Sequence, residues 1–136
     1  MITSGLKVNN EYIVNSKQIP EDAYEKTKSL LKKVPEITAI FLYGDYSAIG
    51  VYKAIKELGY RIPKDISVVS YDNIESSKFL TPPLTTINFP KKTIGRLAIS
   101  MAIDKAEHKM IYAESMEVFP KLVERESCTN ARDNKL

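Results

Sequence analysis

A chain of 136 residues with 43% hydrophobic and 27% charged side chains has the make-up of one soluble globular domain or part of one. Its net charge of +3 is small and its basic residues are scattered, with Lys32-Lys33 and Lys91-Lys92 the only adjacent pairs, so composition points to solubility and not to a polyanion-binding arm. One cysteine, Cys128, and one histidine, His108, exclude an internal disulfide and a structural zinc site.

Strand-like and helix-like segments alternate along the chain. Glu11-Tyr12-Ile13-Val14 is short and partly β-branched, which predicts a first strand. Ile19-Pro20-Glu21-Asp22 opens a helix, with Pro20 in its first turn and two acids at its positive end. Ala23, Thr27, Leu30, Leu31 and Val34 continue at helical spacing until Pro35. Thr38 to Leu42 is an unbroken apolar run, which predicts a strand buried on both faces, as in a parallel sheet.

Gly44 and Asp45 break that run, and Asp45 is placed to cap the next helix. Ala48, Ile49, Tyr52, Ile55 and Leu58 form the inward stripe of this helix, and Gly59 follows its end. Ile66 to Tyr71 is a further buried strand, ending at Asp72-Asn73. The crossover between the two strands is long enough to make them parallel, and with the first strand and helix it gives β-α-β-α-β. After an irregular stretch around Pro82-Pro83, Thr85-Thr86-Ile87 reads as a short strand. A long helix starts at Pro90 with an apolar stripe of Ile94, Leu97, Ala98, Met101 and Ala102, and His108 lies at its far end as an exposed partner of the helix dipole. Met116 to Phe119 alternates, Pro120 interrupts, and Leu122-Val123 resume.

The expected fold is thus α/β, an open parallel sheet flanked by helices. In such sheets ligands bind beyond the carboxyl ends of the strands. That rim should carry Gln18, Tyr43, Asp45, Asp72 and Asn73, with Lys17 and Tyr71 beside them. Carboxylates and amides suit hydroxyls and base edges, and aromatic faces suit sugar or purine rings. No Gly-rich phosphate loop, Gly-x-Ser-x-Gly elbow or His-Glu-x-x-His is visible, so the expectation is a binding protein without cofactor or metal, not an enzyme.

Several segments, in order, resemble one family. Thr38-Ala39-Ile40-Phe41, then Gly44-Asp45-Tyr46-Ser47-Ala48-Ile49-Gly50, is similar to a signature of the LacI/GalR regulators. Lys56 to Val69 resembles the family's next stretch, Tyr71-Asp72-Asn73 and Leu80 to Ile87 continue it, and Val118 to Ser127 is similar to its closing strands. The resemblance runs from about Gly5 to Ser127, with the purine-repressor branch close. Where many sugar-binding members have Asn before the signature Asp, this chain has Gly44.

The resemblance implies a periplasmic-binding-protein-like sensor, mainly its C-terminal lobe, with residues 1–127 in the effector-binding and dimerisation domain and 128–136 a disordered tail. It implies a small-molecule effector, a sugar or nucleobase, with Asp72 as a contact. It also implies a repressor that reads DNA through an N-terminal helix-turn-helix not visible in this sequence. The helix Lys91 to Glu107 is expected to expose its stripe and to make the chain a homodimer. Met1 to Lys7 has no signal-peptide core and no apolar run reaches the ~18 residues of a membrane span, which predicts a cytoplasmic protein without membrane contact. A transport-type sugar-binding protein shares the fold but would need an export signal.

Overall fold

A computed structural model describes residues 9–107 and 115–130. The segment expected as a first strand is instead a 3-10 turn, Asn10–Tyr12, followed by extended chain. Tyr12, Ile13 and Val14 are exposed, and no sheet neighbour holds them in a ladder. The first helix, α1, spans Pro20–Lys33, with Pro20 at its start, Glu21 and Asp22 in the first turn and Lys32 and Lys33 in the last. Its ends thus carry the charges that complement the helix dipole.

Strand β1 (Ala39–Phe41), helix α2 (Asp45–Glu57), strand β2 (Ser67–Tyr71), strand β3 (Thr85–Asn88), helix α3 (Lys91–Ala106) and strand β4 (Lys121–Val123) complete the elements. The sheet order is β1-β2-β3-β4. The first three strands run parallel, as expected, but β4 is antiparallel to β3, so the sheet is mixed. β1 lies at the sheet edge and is not buried on both faces: Ala39 and Phe41 are exposed and Ile40 is half-buried. An apolar run records what can be buried, and the position in the sheet decides what is.

The core is small and sits where α1 and α2 pack together over the sheet. Ala23 and Leu31 of α1 meet Ala48, Val51, Tyr52 and Ile55 of α2, with Ile66, Val68 and Leu84 from the sheet side. Close approach of the two helices depends on Gly50. A Cβ there would stand 1.8 Å from the Pro20 carbonyl oxygen, so no side chain fits. Gly59 follows α2 at φ +82, the left-handed turn that ends many helices.

Beyond β4 the chain is fastened to the sheet. Ser127 is fully buried; its hydroxyl donates to the Val68 carbonyl at 2.6 Å and accepts from the Thr85 amide at 2.7 Å. Cys128 Sγ donates to the same carbonyl at 3.2 Å, and the Thr129 amide donates to Ser67 Oγ at 3.3 Å. The tail expected to be disordered from residue 128 is therefore held through Thr129, and residues 131–136 lie outside the described part. His108 also lies outside it. α3 contributes no buried residue to the lobe, and Ile99 and Ile103 on it are exposed.

Candidate functional site

The carboxyl ends of β1 and β2 lie side by side, because Phe41 pairs with Val69 in a parallel register. Tyr43-Gly44-Asp45 and Tyr71-Asp72-Asn73 therefore share one rim. The Asp72-Asn73 turn is unusual: both residues have positive φ, +112 and +49. Such a conformation disfavours side-chain-bearing residues and needs outside support.

Asp45 supplies part of that support. It is the first residue of α2, with Gly44 as N-cap, so it does not cap the helix by its side chain as the sequence suggested. It is 1% exposed, and both carboxyl oxygens accept hydrogen bonds across the rim. Thr86 Oγ1 donates to Oδ1 at 2.7 Å and the Ile74 amide donates to Oδ2 at 2.9 Å. The Asn73 amide in turn donates to Thr86 Oγ1 at 3.2 Å. Asn73 spends its own side chain internally: Nδ2 donates to Asn88 Oδ1 at 3.2 Å and Oδ1 accepts from Arg125.

Asp72 is different. Its side chain is 42% exposed, and the nearest cation is Lys91, whose Nζ stands 4.0 Å from Oδ1 and donates to the Asp72 carbonyl at 2.5 Å. The other oxygen faces Gly44: a Cβ built on Gly44 would lie 3.5 Å from Asp72 Oδ2 and 3.9 Å from Gln18 Oε1. Two hydrogen-bond acceptors thus converge on Gly44, a buried residue that puts no side chain between them. Gln18 reaches it from a loop with φ +60, anchored by Asp22 Oδ2, which accepts from the Lys17 amide at 2.8 Å. That backbone bond, with a further one from Ser16, holds the Asp22 carboxyl below its ordinary range.

Aromatic rings run along the same edge. Tyr43 stacks on Tyr71 with centroids 6.5 Å apart and planes 13° from parallel, and Tyr71 meets Phe89 at 6.0 Å. Tyr43 keeps 73% of its surface exposed. A groove of about 360 Å³ opens beside it, lined by Gln18, Tyr12, Phe41, Tyr43 and Lys26 among others.

Of the residues expected at the rim, Gln18, Tyr43 and Asp72 keep exposed surface around the buried Gly44, whereas Asp45 is buried and Asn73 spends its side chain within the turn. Arg125, Thr86 and Asn88 could not be read as partners from the sequence, since they stand 52, 13 and 15 residues from Asn73 and belong to no local motif. Among the described residues no cluster of three or more His, Cys, Asp or Glu could hold a metal ion, and no helix is long and apolar enough to cross a membrane.

Residues 2–128 match the family model described as periplasmic binding protein-like domain. The chain is 42% identical over 122 residues to the HTH-type transcriptional repressor PurR of Proteus mirabilis, covering 90% of this chain and 36% of that protein. It is 39% identical over 127 residues to the PurR repressor of Serratia proteamaculans, covering 93% and 37%. The chain thus spans little more than a third of these relatives. Among solved structures, a LacI-family sugar-binding transcriptional regulator from Escherichia coli, complexed with phosphate, superposes with a TM-score of 0.84 at 25% identity, covering 93% of this chain and 45% of that one. The lac repressor dimer bound to operator and the anti-inducer ONPF gives 0.78 at 27% identity, covering 85% and 40%. A complex of the regulator CelR with cellobiose shares the fold at TM-score 0.87 and 21% identity, covering 93% and 38%.

Proposed function

The chain belongs to the periplasmic-binding-protein-like domain family, in its LacI/GalR regulator branch, and on that premise we propose that it is the C-terminal effector-sensing part of a transcriptional repressor controlled by a small molecule. The observation that carries this reading is the convergence of Asp72 Oδ2 and Gln18 Oε1 on Gly44, beside the Tyr43–Tyr71 pair. Two acceptors next to aromatic faces suit a ring that bears hydroxyl or N–H donors, a sugar or a nucleobase. In this reading Asp72, Gln18 and Tyr43 contact the effector, and Asp45 and Asn73 hold the turn that presents Asp72. The role is binding and not catalysis.

The whole protein would read DNA through a part that this chain does not span; the relatives it matches are named HTH-type transcriptional repressors. It would act in the cytoplasm as a homodimer. α3, which has no buried residue in this lobe, supports an association surface between copies.

A thermal-shift screen of ribose, lactose, cellobiose, hypoxanthine and guanine on the full-length regulator tests the reading. The expected result is a stabilising hit that Asp72→Ala weakens by about tenfold or more, the loss of a hydrogen bond to a charged group. An unchanged response in Asp72→Ala would sink the site assignment.

A further inference from the structure

Arg125 lies just past β4, on the segment that returns to the sheet after α3. Its guanidinium forks three ways: Nη1 donates to the Leu84 carbonyl at 2.6 Å and to Ser77 Oγ at 3.1 Å, and Nη2 donates to Asn73 Oδ1 at 2.7 Å. Its own amide is fixed by Thr85 Oγ1 at 3.0 Å. Nη1 is thus fastened to the body of the lobe, which leaves Nη2 as the arm that sets the Asn73 side chain. Asn73 is the left-handed residue immediately after Asp72, so fixing it fixes the peptide plane from which the Asp72 side chain departs.

We propose that Arg125 is a positioning residue for the effector site: acting through Asn73, it clamps the Asp72-Asn73 turn in its positive-φ conformation and so aims the Asp72 carboxylate toward Gly44 and the Gln18 amide. The assignment rests on the reading of Asp72 as the effector contact. The clamp has a counterpart at the other end of the same excursion, where Lys91 at the start of α3 donates to the Asp72 carbonyl at 2.5 Å. Chain leaving the lobe grips one residue of the turn, and chain returning to it grips the next. Displacement of α3 relative to the sheet, or of β4 relative to β3, would therefore be transmitted to the orientation of Asp72.

The test needs no effector. In the ¹⁵N-labelled chain carrying Arg125→Met, the φ-sensitive HN–Hα couplings of Asp72 and Asn73 should move away from their native values. Exchange of the Asn73 and Ile74 amides should quicken by about tenfold or more while core amides such as Val51 and Ile55 keep their protection. A purely stabilising role would instead speed all globally protected amides together. If Arg125→Met does not fold, Arg125→Lys, which keeps the charge but loses the fork, carries the same measurement. Native couplings at Asp72 and Asn73 in either folded variant overturn the proposal. These couplings read the clamp alone, whereas the effector response of Asp72→Ala reads the contact, so failure of one is distinct from failure of the other.

Discussion

Thr86 and Asp45 stand 41 residues apart in the chain, and their side chains meet at 2.7 Å in the buried floor of the rim. The threonine is fully buried and the aspartate 1% exposed, so neither can exchange this bond for water. Thr86→Val should leave one Asp45 oxygen without its donor and cost about 1–3 kcal/mol. Because both residues serve one network, Asp45→Ala combined with Thr86→Val should cost less than the sum of the single changes, with a coupling of about 0.5–3 kcal/mol. Urea melts of the four proteins measure it; additive losses would show that the two side chains act separately.

Gly50 is where α1 and α2 touch through their backbones. Gly50→Ala would put its methyl carbon 1.8 Å from the Pro20 oxygen and 2.9 Å from the Tyr24 nitrogen, both backbone atoms that cannot swing aside. We expect a loss of about 3 kcal/mol, the upper end for overpacking, or failure to fold. A thermal melt within two or three degrees of the parent, about the shift expected from less than 1 kcal/mol, would contradict this crossing.

Tyr52 is 8% exposed, and its hydroxyl lies toward Ser127 without a hydrogen bond of good geometry. Burial pushes its pKa up from the ordinary 10.0 to about 12. The folded state therefore holds the proton more tightly than the unfolded state. This contribution to stability is fully present below pH 10 and is lost as pH rises toward about 12. Tyr52→Phe should flatten the alkaline fall in melting temperature over that window. Below pH 10 it should be neutral or slightly stabilising, since it removes an unsatisfied polar atom. An equally steep fall in the phenylalanine variant would refute the assignment.

Association through α3 is open to direct test. Leu97→Glu with Met101→Glu should shift the chain toward monomer in sedimentation velocity, with little change in the melting of the lobe because neither residue is buried in it. A parent chain that sediments as a single monomer species would remove the basis for α3 as an association face.

Much of the fold could be read from periodicity and punctuation. α1 begins at Pro20 and α2 gives way at Gly59 because these residues act through their own backbones, and that information is local. β1 shows the limit. Its apolar run correctly marked a strand, yet Phe41 is 64% exposed because the strand lies at the sheet edge, which no local pattern encodes. The rim positions of Tyr43 and Asp72 followed from strand ends and topology, whereas Gln18 was expected there from a first strand that is not formed and reaches the rim from a loop. The division of labour between Asp45 and Asp72 did not, since it depends on Thr86 and Ile74 arriving from distant parts of the chain. Arg125 was illegible for the same reason: it stood in a polar run that reads as surface until β4 is paired.

Gly44 has extended backbone, φ −153 and ψ 140, and a Cβ there would meet its neighbours at ordinary contact distance. Nothing in the fold therefore requires glycine at this position. A point change to alanine would add a methyl group between the two acceptors at ordinary contact distance, without straining the backbone. In evolutionary terms the position can be altered separately from the scaffold: recognition at this rim can drift in single mutational steps, with little of the stability loss that usually restrains change at a binding site.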